Sequence, residues 1–170
     1  MIGKGAYTVT VNNAQELLPV DGRRIRAAVT RILSEARIAR AEVGVTLVDD
    51  DAIRDLNRRY LKHDRPTDVI AFPLERAAEH LEGEIVVSAE TARSRAGEYG
   101  WRAEDELLLY VVHGTLHLTG YDDRTAEARA RMQERERDCL AHFGLTARYD
   151  ADEAPPAPSA PPSRGGTKGK

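Results

Sequence analysis

Apolar and polar residues alternate over residues 7–12, the period-two pattern of a strand with one covered face. The period then changes. Over residues 21–38, Ile25, Val29, Ile32 and Leu33 recur at helical spacing and predict an amphipathic helix. Residues 43–48 read as a β-rich strand, after which Asp49 or Asp50 supplies the N-cap of a short helix through Tyr60 that buries Ile53, Leu56 and Tyr60. Residues 68–72 and 84–88 read as two more short strands, joined by a polar connection too short for a long crossover helix. Ser88 is placed to cap the next helix, which runs through Tyr99.

The most hydrophobic stretch is 103–119, where Leu107, Leu108, Leu109, Tyr110, Val111, Val112, Leu116 and Leu118 leave almost no polar face. A helix that is apolar nearly all round belongs at the centre of a domain. Gly120 follows as a natural left-handed stop, and residues 125–142 form a last, heavily charged helix ended by Gly144. The pattern predicts an α+β fold: a small mixed sheet of about four strands packed with about five helices, one of them central and buried. Residues 1–150 are expected to form one domain. From Ala151 the composition turns to Pro, Ala and Gly, and residues 151–170 are expected to be a disordered tail without large apolar side chains.

Apolar residues make up 41% and charged residues 31% of the 170, an ordinary globular balance. No apolar run approaches the roughly 18–20 residues needed to cross a bilayer, and the first residues carry no apolar export signal. No membrane partner and a cytoplasmic location are therefore expected. Cys139 is the only cysteine, which excludes an internal disulfide and any site built on several thiolates. A net charge of -3 argues against an indiscriminate nucleic-acid coat protein, and DNA is not expected as a partner.

The central helix carries the candidate chemistry. His113 and His117 are four residues apart, so both imidazoles lie on one face about one turn apart, a spacing that one tetrahedral metal ion accepts. Gly120 lets the chain double back, so that Asp123 reaches the same point as a third ligand, with the neighbouring Asp122 serving the turn or supporting the ligands. Two nitrogens and one carboxylate oxygen leave a fourth position for water, as in catalytic rather than closed structural zinc sites. His113-Gly114-Thr115-Leu116-His117-Leu118-Thr119-Gly120-Tyr121-Asp122-Asp123 has the ligand and glycine spacing of H-E-x-x-H-x-x-G-x-x-H metalloproteases, but Gly114 stands where their general-base Glu would be. A peptidase of that type is not expected.

The same eleven residues closely resemble the signature H-G-x-L-H-L-x-G-Y-D-H of the YbeY family of bacterial endoribonucleases, with ten positions behaving as the family requires. Leu56-Asn57-Arg58-Arg59-Tyr60, the block Asp64-Arg65-Pro66-Thr67-Asp68-Val69-Ile70-Ala71-Phe72-Pro73, and Gly83-Glu84-Ile85-Val86-Val87-Ser88 extend the resemblance over roughly residues 43–143. It implies a metal-dependent, single-strand-specific endoribonuclease that matures the end of small-subunit rRNA and takes part in ribosome quality control. Its partners would be rRNA and the small ribosomal subunit, and its cofactor one divalent ion, usually zinc. Such an ion polarises a phosphoryl oxygen and lowers the pKa of its water toward about 7.

Two departures bear on this expectation. Asp123 replaces the third His of the signature, which keeps the ligand count but hardens the site and gives Mn or Mg some ground against zinc. Leu61 stands where some relatives carry an Arg, leaving Arg58, Arg59, Lys62 and Arg65 as candidate phosphate-binding residues. They lie in a stretch, 54–65, with five basic residues against Asp55 and Asp64. Trp101, Tyr99 and Phe72 are read as core rather than base-stacking residues, and His63, His80 and His142 as surface or core. The alternatives are a metallohydrolase of another substrate class and a ribosome-associated RNA-binding protein with a structural metal.

Overall fold

A computed structural model describes residues 6–61 and 68–147. The tail predicted over 151–170 lies outside the described residues. The chain divides into two compact units, Met1–Gly120 and Tyr121–Lys170.

In the first unit, β1 (Ala6–Asn13), α1 (Gly22–Glu35) and β2 (Arg40–Val48) form a parallel β-α-β step. The Asp21 carboxylate caps α1 by accepting from the Arg24 N–H at 3.1 Å, and Ile25, Ala28, Val29, Ile32 and Leu33 form its buried stripe. Next come α2 (Asp50–Leu56), a π-helical turn over Asn57–Leu61, and the strands β3 (Val69–Arg76) and β4 (His80–Ser88). α3 (Ala89–Tyr99) and α4 (Ala103–Leu118) complete the unit. The four strands are ordered β1-β2-β4-β3, with β2 parallel to β4 and β3 antiparallel to it, a mixed sheet as expected. In the second unit α5 (Ala126–Ala141) is capped by the Thr125 hydroxyl, which accepts from the Ala128 N–H at 3.0 Å, and buries Met132, Cys139 and Leu140.

β3 is three residues and β4 four residues longer than the sequence pattern suggested. In β4, Leu81, Gly83 and Ile85 are buried and alternate with half-buried His80, Glu82 and Glu84, so the strand's polar positions conceal its length. Near its far end β3 carries a register shift: Pro73 pairs with Gly83 and Glu75 with Glu82, leaving Leu74 as the extra residue of a bulge, 63% exposed.

The helix expected through Tyr60 ends at Leu56, and Tyr60 is not buried. Its Asp49 cap is as expected, accepting from the Ala52 N–H at 2.9 Å. Ile53, fully buried, forms a small core with Val48, Ile70 and Val86, against which Leu56 and Phe72 pack. Asn57–Leu61 then adopts π-helical geometry, in which each residue advances through a smaller angle than in an α-turn. Tyr60 is thereby turned off the buried stripe and is 60% exposed.

α4 is the central helix. It packs against α1, α3, β3 and β4, and Leu107 through Val112 are all buried. Its approach to the sheet depends on two glycines. A Cβ at Gly114 would lie 2.8 Å from Ile85 Cγ2 and 3.0 Å from Val69 Cγ2, and one at Gly83 would lie 2.8 Å from Leu118 Cδ1. Ile85 and Val69 thus face α4, while by strand alternation Val86 and Ile70 face the opposite side, where α2 supplies Ile53.

Candidate metal centre

The close seat of α4 fixes where its histidines point. With Gly114 pressed on the sheet, His113 and His117 are each half-buried rather than sealed in the core. Their Nε2 atoms are 3.1 Å apart, and the rings stand at 81° with centroids 4.7 Å apart. Two imidazole nitrogens each 2.0–2.1 Å from one tetrahedral ion would be separated by about 3.3 Å, so this pair is already spaced for shared ligation. Asp123, the sequence-predicted third ligand, is half-buried and lies six residues after His117, near the start of the second unit. Gly120, at φ +112°, is the turn residue that ends α4 before it. A donor set of two imidazoles and one carboxylate suits zinc and is compatible with harder divalent ions.

Asp122 is engaged otherwise. Its Oδ1 accepts from the Arg124 backbone N–H at 3.0 Å, and that bond, followed by the Arg124 guanidinium, holds its carboxyl below the usual range. This is the turn role expected for it.

Gly114 explains why the metalloprotease base is missing. In H-E-x-x-H enzymes a Glu occupies this position, but here any side chain would meet Ile85 and Val69 before leaving the helix. The residue faces the sheet, and no carboxylate can be presented from it.

Among the candidate phosphate-binding residues, the Arg58 and Arg59 side chains are 57% and 59% exposed, and both reach Asp55, at 2.6 Å and 3.3 Å. Asp55 offsets part of their charge, although pairs this exposed exchange readily for another anion. Lys62 and Arg65 lie outside the described residues, as does His63. Trp101 has a structural partner: its Nε1–H donates to Glu106 Oε1 at 2.8 Å. The Tyr99 hydroxyl accepts from Arg95 at 2.6 Å, and Phe72 packs on the small core. His80 sits between Glu75 and Glu82 at 3.3 Å and 3.1 Å, and His142 ends α5.

Two features escaped the sequence pattern. Tyr60 is exposed, and Glu106 is buried in α4 at 2% exposure. Burial is the main cause raising the Glu106 pKa, opposed by its bond from Trp101 and by Arg95. Its spacing from His113 and His117, seven and eleven residues, sets it on their stripe of the helix, the one signal in the sequence that marked it.

A family model described as Endoribonuclease YbeY matches residues 10–144. The chain belongs to the YbeY family. Among its YbeY relatives, the curated Endoribonuclease YbeY of Moorella thermoacetica is 41% identical over 152 residues, covering 80% of this chain and 97% of the relative. That of Rhodopirellula baltica is 47% identical over 120 residues, covering 68% and 62%. A solution structure from Thermotoga maritima is similar in fold, with a TM-score of 0.56 at 26% identity, covering 81% of this chain and 92% of that one.

Proposed function

We infer that this YbeY family member is a metal-dependent endoribonuclease that cuts single-stranded segments of rRNA during maturation of the small ribosomal subunit and its quality control, in the cytoplasm. The observation that carries the chemistry is the His113–His117 pair, with Nε2 atoms 3.1 Å apart on a helix whose intervening Gly114 excludes a protease-type base. In this reading His113, His117 and Asp123 hold one divalent ion, zinc in preference to Mn or Mg, and the catalytic domain spans residues 1–150. When bound, the ion supplies Lewis acidity toward a phosphoryl oxygen and an acidified water. The chain contributes the geometry: α4 holds the two imidazoles at their mutual spacing before any ligand arrives, which removes an ordering cost from binding. Arg58, Arg59, Lys62 and Arg65 receive the RNA backbone, phosphates displacing Asp55 from the first two.

The test is metal analysis combined with cleavage of an rRNA precursor. His113→Ala is expected to lose the stoichiometric ion and cutting together, and a chelator to stop the wild-type chain. Undiminished cutting by a metal-free preparation rejects the reading. Circular dichroism of the same samples separates loss of chemistry from loss of fold, because a shared ion can also stabilise the chain.

A further inference from the structure

Tyr60 is a large aromatic ring that the fold places at the surface. It stands 60% exposed, whereas Ile53, seven residues earlier, is fully buried. The π-helical turn over Asn57–Leu61 is what turns it outward, and such turns are rare and recur at functional positions. Yet the ring is not loose. It packs at 79° to Phe72 with centroids 5.8 Å apart, and the Arg59 guanidinium carbon lies 5.7 Å from its centroid. Phe72 is itself held against the core of Val48, Ile53, Ile70 and Val86, so Tyr60 rests on a braced support. An exposed ring held in place, beside two arginines that both pair with the exchangeable Asp55, offers both things an unpaired nucleotide needs: a flat apolar surface for the base and cations for its phosphate.

We propose that Tyr60 is a base-stacking platform for single-stranded RNA, with Arg58 and Arg59 engaging the adjoining phosphates. The proposal rests on the RNA reading above and adds the residue that selects unpaired bases, since bases within a duplex have no free face to offer. A stack of this kind is sequence-tolerant, because every base has a π-face.

The experiment is fluorescence anisotropy with the full chain and two labelled oligoribonucleotides of equal length, one carrying bases and one abasic, with gel electrophoresis confirming that the oligonucleotides stay intact. Tyr60→Leu is expected to weaken binding of the base-bearing strand about 5- to 150-fold, the equivalent of about 1–3 kcal/mol, and to leave the abasic strand unaffected. Tyr60→Phe and Tyr60→Trp, which keep a ring, are expected to bind within about threefold of the wild type, a difference smaller than the loss of one stacked base. They also keep the proposal falsifiable should the leucine variant fail to fold. Unchanged binding by Tyr60→Leu, an equal loss on both strands, or a large loss in the tryptophan variant overturns the platform while leaving the nuclease reading intact. A wild-type chain that binds neither strand overturns both.

Discussion

Replacing Gly114 with alanine asks whether the contact between α4 and the sheet governs this position or whether ordinary helix propensity does, because the two act with opposite sign. In a helix interior, Gly→Ala gains about 0.8–1.0 kcal/mol from reduced backbone entropy in the unfolded chain. Here the new methyl would stand 2.8 Å from Ile85 Cγ2 and 3.0 Å from Val69 Cγ2. Ile85 is fully buried, and both are β-branched atoms one bond from Cβ, so neither can swing aside as a long side chain would. Overpacking of this kind costs about 1–3 kcal/mol, so the net expectation is a loss of up to about 2 kcal/mol, or up to roughly 8 °C in Tm for a chain of this length. Gly97 in α3 is the internal control: a Cβ there meets nothing within 4 Å, so Gly97→Ala carries only the propensity gain. Urea and thermal unfolding of both variants, followed by circular dichroism, should therefore move in opposite directions. A Gly114→Ala chain stabilised as much as the Gly97→Ala control would refute the close-packing account and with it the reason given for the absent glutamate.

Further expectations follow from neighbouring groups. Glu106 has a folded-state pKa above its unfolded value, so the folded chain holds that proton more tightly and the associated stability is lost as pH rises through the folded pKa. Glu106→Gln, which can still accept from Trp101, should flatten that decline, and its Tm relative to wild type should be higher at pH 8 than at pH 4. A Tm difference that does not vary with pH would argue against the assignment. Arg24 Nη2 lies 2.7 Å from Asp105, whose side chain is only 9% exposed, so Arg24→Met should strand a carboxylate and cost about 1–3 kcal/mol in chemical denaturation. Arg24→Met combined with Asp105→Leu should recover much of that loss, and failure to recover it would count against a stranded charge as the cause.

Much of the architecture was legible because burial imposes periodicity. Ile25, Val29, Ile32 and Leu33 traced the hidden face of α1, and the unbroken run from Leu107 to Val112 marked a helix enclosed on nearly every side. Asp49, one of two cap candidates, and Ser88 marked two helix starts, and each accepts the expected backbone N–H. The histidine pair was legible for the same reason, since i and i+4 on a helix fix two side chains relative to each other without knowledge of anything else. Legibility failed where local geometry departs from the regular period. Continuing the α-helical count from Ile53 and Leu56 to Tyr60 assigns a buried ring, and only the π-turn shows that it faces out. It failed as well where the information is tertiary. That Gly114 breaks the protease motif is visible in the letters, but the obstruction by Ile85 and Val69 comes from strands some 30 to 45 residues away in sequence. Glu106 was hard to recognise as buried because acidic residues in a first helical turn are common on surfaces.

The irregularity at Pro73 and Leu74 also governs how the molecule behaves in company. β3 forms one border of the sheet, where unsatisfied backbone groups would ordinarily invite a strand from another molecule to add on. Proline offers no N–H to such an intruder, the extra residue throws the hydrogen-bonding rhythm out of step, and Glu75 and Arg76 place charge beside the gap. Straightening this border by deleting Leu74 would give a longer, flatter template, and the cost would appear as self-association at high concentration before it appeared in the folding of the isolated molecule.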